Sequence, residues 1–73
     1  MSRAAIDIYV VKVGLVYPCN PNWTVAQAVA GIRDEFGLVK GGMRDHDGLT
    51  LLPTDKVAIG CTFVGGDEDV AGF

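Results

Sequence analysis

Thr24-Val25-Ala26-Gln27-Ala28-Val29-Ala30-Gly31-Ile32-Arg33-Asp34-Glu35-Phe36-Gly37 is the stretch on which the fold turns. Thr24 is a good helix N-cap, and Gln27 three residues later completes a capping box. Trp23 precedes the cap and can staple onto the first turn. Val25, Ala28, Val29, Ile32 and Phe36 recur at helical spacing and make one apolar face. Gly37 can take the left-handed conformation that closes a helix. The spelling predicts a helix over residues 24–36 with a single buried face. Gly31 weakens its middle by roughly 1 kcal/mol relative to alanine, a cost that close packing on a sheet would explain.

On the N-terminal side, residues 5–13 are rich in β-branched and aromatic types and read as a strand, with Ile6, Ile8 and Val10 on one face. Gly14 permits a turn, and Leu15 to Cys19 read as a second strand. Pro18 lacks an N–H for the ladder, so this strand belongs on a sheet edge. Asn20, Pro21 and Asn22 break it before the helix. On the C-terminal side, Leu38 and Val39 are expected to return to the core, and Lys40-Gly41-Gly42 to form a loop. Met43 and Arg44 begin a short extended piece. Asp45-His46-Asp47-Gly48 spells a turn, Leu49–Leu52 a short strand, and Pro53–Lys56 a second turn. Residues 57–64 read as the last strand, with Val57, Ile59, Cys61 and Phe63 alternating towards the helix face.

With 73 residues there is room for one domain, close to the lower limit for folding without staples. A hydrophobic fraction of 49% is enough for a packed core and too high for a disordered chain. Two strands in a hairpin, one helix and a last strand parallel to the first give a small α+β roll with one layer of sheet. That is the β-grasp architecture. It is expected over residues 1–66, followed by a short acidic extension, 67–73.

Charge divides the chain at the same point. The net charge is −3, and Asp67, Glu68 and Asp69 all follow Gly66. Up to Gly66, six basic residues balance six acidic ones. Lys12, Arg33, Lys40, Arg44 and Lys56 are scattered, which does not resemble a nucleic-acid footprint. No apolar run is long enough to cross a membrane, and no signal-peptide pattern opens the chain. The expectation is a cytoplasmic protein whose Cys19 and Cys61 are reduced and buried.

The apolar last strand runs directly into Gly65-Gly66. A lone Gly-Gly is also a common strand exit, so the rest of the chain has to give it meaning. Thr24-Val25, Ala30, Ile32, Asp34 and Gly37-Leu38 fall, without a gap, at the spacing of the ubiquitin helix. Together with Gly65-Gly66 they make the chain resemble the ubiquitin-like family over most of residues 5–66. The resemblance implies a protein modifier, or a related small sulfur carrier. Two departures bear on the choice. Thr62, Phe63 and Val64 carry no charge where ubiquitin's tail is basic, which is similar to the sulfur carriers. Those carriers end at their glycines, whereas residues after Gly-Gly resemble a modifier precursor trimmed by a peptidase.

What the resemblance implies chemically is brief. Cleavage after Gly66 frees a carboxylate, an activating (adenylating) enzyme joins it to AMP, and a thiol or sulfide displaces the AMP. Conjugation to amines of target proteins follows for a modifier, and a thiocarboxylate for a carrier. Gly65 and Gly66 are the conjugation site. The protein contributes no catalytic group and needs no cofactor. A different class of function rests on the same fold: a non-conjugating binding module or subunit that presents the sheet face opposite the helix, with Tyr9, Val11 and Val13 as candidates. Enzyme readings find little support. His46 between Asp45 and Asp47 has no further metal ligands nearby in sequence and reads as an exposed turn. Gly41-Gly42 lacks the lysine and threonine of a phosphate loop. No metal, nucleic acid or membrane is expected.

Overall fold

The computed structural model describes residues 4–65. One helix packs on one face of a four-stranded mixed sheet. The elements in chain order are β1 (Ile6–Val10), β2 (Leu15–Cys19), α1 (Val25–Phe36), β3 (Gly42–Arg44) and β4 (Thr62–Val64). Across the sheet the order is β2-β1-β4-β3. β1 and β2 form an antiparallel hairpin with Ile6 opposite Cys19 and Val10 opposite Leu15. β4 lies parallel to β1, with Tyr9 beside Thr62, and antiparallel to β3, with Met43 beside Phe63. β2 is an edge strand, as Pro18 requires.

The helix is built as its sequence spells it. The Thr24 N–H donates to Gln27 Oε1 at 3.0 Å, and the Gln27 N–H donates to Thr24 Oγ1 at 3.4 Å. The two donors left over in the first turn find carbonyls in the distant 53–55 loop: Val25 N–H to Asp55 O at 2.7 Å and Ala26 N–H to Pro53 O at 3.0 Å. Every N-terminal donor of α1 is thereby satisfied, and the loop is pinned to the helix in the same contacts. Gly37 closes the helix at φ 66°, and its N–H donates to Arg33 O.

The core is one cluster. Ile8, Val10, Cys19, Val25, Ala28, Ile32, Met43, Val57, Cys61 and Phe63 are buried, and Tyr17, Trp23, Val29 and Phe36 pack around them. Both cysteines are free thiols within it. Gly31 faces the side chain of Tyr17 from β2. A Cβ there would lie 2.8 Å from Tyr17 Oη and 3.3 Å from Trp23 Cζ3, so the glycine makes room for two aromatic rings.

Four expectations need correction. The first strand stops at Val10, not at residue 13. A single Gly14 cannot reverse an antiparallel pair, and the chain instead uses a four-residue turn, 11–14, closed by Gly14 N–H donating to Val10 O at 2.9 Å. Leu49–Leu52 makes no strand. It contributes an isolated bridge from Arg44 to Thr50 and a bond from Leu51 N–H to Met43 O, because aspartate side chains take the neighbouring donors. Asp45 Oδ1 accepts from the Leu49 N–H, and Asp55 Oδ2 from the Leu52 N–H.

The last strand is the largest departure: only Thr62–Val64 is extended in the sheet. Residues 59 and 60 form a turn, with Gly60 at φ 94° and the Cys61 N–H donating to Ala58 O. The turn breaks the period of two, so Val57, Cys61 and Phe63 are buried while Ile59 is 86% exposed. Ile59 is therefore not a core residue. Val57 joins the core from another direction, next to the bridge between Lys56 and Thr24 and through its N–H to Trp23 O. Val39, expected in the core, is 69% exposed, and only Leu38 packs inwards after Gly37.

Candidate functional site

The candidate site is the end of β4, where the chain passes from a buried strand to Gly65. β4 is only three residues long but central in the sheet, between β1 and β3. Phe63 fixes it, with its side chain fully buried and its carbonyl accepting from the Val11 N–H at 3.1 Å. Gly41 is needed for that seat: a Cβ there would fall 2.5 Å from the Phe63 ring and 3.0 Å from Val64 O, and its φ of 123° disfavours side chains. Gly65 follows at φ 98°, a conformation that glycine adopts freely. β4 ends at Val64, one residue before Gly65. Gly66 and the acidic extension 67–73 lie outside the described residues.

Alternation and register define the outer face of the sheet. Tyr9 pairs with Val16 on one side and with Thr62 on the other. Tyr9 is 46% exposed and Val16 51%, so two large apolar side chains stand side by side away from the helix. Val11 and Val13 are exposed too, but in the 11–14 turn and not in the strand with Tyr9. Sequence reasoning missed Val16. The signal was the turn length, which sets the hairpin register and brings Val16 opposite Tyr9.

His46 is exposed in its turn, with Nε2 3.3 Å from an oxygen of the equally exposed Asp47. Among the described residues, no three His, Cys, Asp or Glu side chains gather in a way that could hold a metal ion. Burial pushes the Cys19 thiol up to about 11, helped by the nearby Cys61, so Cys19 is a poor nucleophile near neutral pH. No helix among the described residues is long and apolar enough to cross a membrane. Comparisons with protein-family models, with curated proteins and with solved structures return no match.

Proposed function

We propose that the chain is a ubiquitin-like β-grasp modifier in precursor form, processed after Gly66, adenylated on the freed carboxylate and conjugated to target amines. The observation that carries this reading is the delivery of Gly65-Gly66 by a central strand parallel to β1. A conjugating terminus must leave a rigid body at a fixed point, and β4, locked by Phe63, supplies that point. Side-chain-free residues beyond it suit an activating enzyme that closes on the backbone. The capping-box helix packed across the sheet agrees with the β-grasp assignment.

The chemistry is that of acyl activation. A carboxylate oxygen of the processed terminus attacks the α-phosphorus of ATP and expels pyrophosphate. The acyl adenylate then passes its acyl group to a thiol, releasing AMP, and a target amine takes it from the thioester. This chain would provide the carboxylate and the docking surface, and the partner enzyme the catalytic groups.

A second reading, a non-conjugating binding module, is favoured by the adjacent exposed Tyr9 and Val16. One experiment separates the two. The chain ending at Gly66 is added with ATP to lysate of its own cells, and its intact mass and adducts are followed. Higher-mass adducts that diminish in Gly66→Ala support the modifier. A mass change of sulfur for oxygen at the terminus marks a sulfur carrier instead. A terminus that stays unmodified under all these conditions moves the assignment to the binding module.

A further inference from the structure

A groove of about 400 Å³, a volume in the range of small-molecule sites, runs between α1 and the far edge of the sheet. Val25, Val29 and Ala30 form the helix wall, and Met43, Leu51 and Pro53 the facing one. From Val25 to Arg33 the helix wall is about 12 Å long. Among the described residues that line the groove, Arg33 is the one charged side chain, and none is aromatic. The slot is therefore aliphatic along its length and cationic at one end.

The Arg33 Nη2 group donates to Gly41 O at 2.7 Å, which uses one of the five guanidinium donors. Arg33 Nε is buried with no hydrogen-bond partner, the one such side-chain atom among the described residues. A buried donor left unpaired is costly. A leucine or methionine would fill the same wall without that cost, so packing alone does not explain an arginine here. A guanidinium takes a carboxylate through two parallel N–H bonds, and the charge makes those bonds strong. The matching ligand carries one carboxylate on an aliphatic body.

We propose that the groove binds a free medium-chain aliphatic monocarboxylate, its carboxylate on Arg33 and its chain lying along Val29 and Val25 against Met43 and Leu51. A peptide fits less well. Strand addition needs an open edge, and the 49–51 segment already occupies that of β3: the Leu51 N–H donates to Met43 O and the Asp45 N–H to Leu49 O, each at 2.9 Å. The aliphatic walls offer an aromatic acid no ring to stack on. The site makes no use of Gly65 and Gly66, so it stands or falls apart from the modifier reading.

The test titrates the full chain with octanoate and follows methyl and amide resonances. Saturable shifts of Val25, Val29, Met43 and Leu51 methyls and of the Arg33 side-chain Nε–H are expected, with Kd below about 1 mM. Octanol, which keeps the chain and loses the charge, should bind at least about tenfold more weakly, and Arg33→Gln should cost octanoate a similar factor. Should Arg33→Gln fail to fold, Ala30→Glu serves instead. Ala30 is exposed on the helix wall, and a glutamate three residues before Arg33 supports the helix while presenting its own carboxylate to the guanidinium. Octanoate binding should then fall at least about tenfold with the fold intact. Four results would overturn the proposal: no saturable shift, equal affinity for octanol and octanoate, unchanged affinity in Ala30→Glu, or shifts centred on Tyr9 and Val16 across the sheet.

Discussion

Replacing Gly31 with alanine sets two effects of similar size against each other. Alanine in a helix interior gains about 0.8–1.0 kcal/mol over glycine. The new Cβ would sit 2.8 Å from Tyr17 Oη, closer than real Cβ atoms come, and 3.3 Å from Trp23 Cζ3. Tyr17 cannot simply retreat, because its ring meets Phe36 edge-on at 6.3 Å and 71°. Overpacking of this kind costs about 1–3 kcal/mol. The clash should win, leaving Gly31→Ala less stable by about 1 kcal/mol, or roughly 4–8 °C in Tm for a domain of this size. Urea denaturation followed by fluorescence of Trp23, the single tryptophan, measures it. The decisive control is Tyr17→Phe, which deletes the oxygen and leaves the ring carbon at an ordinary 3.5 Å. In that background the alanine should be neutral or stabilising, giving a coupling of about 1 kcal/mol or more. A stabilising Gly31→Ala in the parent chain, or a cycle without coupling, refutes the account of why a glycine stands in mid-helix.

Two further perturbations follow from burial. Ile59→Lys should change stability by no more than about 0.5 kcal/mol, since Ile59 projects from a turn; a loss of 2 kcal/mol by urea denaturation would return it to the core. Alkaline pH should destabilise the fold, because Cys19 binds its proton more tightly when folded, its pKa raised from 9.0 to about 11 by burial and then by Cys61. That stabilising contribution is complete below pH 9 and is lost as pH rises through about 11, on the order of 2 kcal/mol in all. Tyr17 is raised as well, first by burial, and acts in the same direction at higher pH. Urea midpoints between pH 8 and 11 test this, and Cys19→Ala should flatten the decline.

How much of this was legible in the sequence depended on whether the signal was local. The helix was legible because its caps are local: Thr24, Gln27 and Gly37 each act within four residues, and all three are in place. The parallel pairing of first and last strands followed from the order of elements, and the edge position of β2 from the missing N–H of Pro18. The last strand misled because alternation in residue type does not distinguish a continuous strand from one interrupted by a turn. Val57, Ile59, Cys61 and Phe63 alternate perfectly, yet Gly60 adopts a positive φ and sends Ile59 outwards. The Leu49–Leu52 segment misled for a related reason. Asp45 and Asp55 hold its ends with side-chain bonds, and no periodicity records that competition. The groove at Arg33 was wholly invisible, since it exists only where the helix, β3 and the 50–53 segment meet.

The two functional readings draw on the same pair of strands, and this bears on how they should be weighed. Tyr9 lies beside Thr62, and β4 ends two residues later, so an apolar face and the Gly65 exit belong to one rigid unit, β1 with β4. A protein that must be held by one enzyme while its terminus is activated needs such a unit: a surface to grip and a strand end at fixed distance from it. A plain binding module needs the surface alone, and nothing in that role asks for a central strand that ends in two glycines. Substituting Tyr9 with a charged residue should then impair adenylation of the Gly66 terminus along with any partner binding. If binding is lost and adenylation proceeds at the parent rate, the face and the terminus serve separate partners, and the coupling argued from β1 and β4 does not hold.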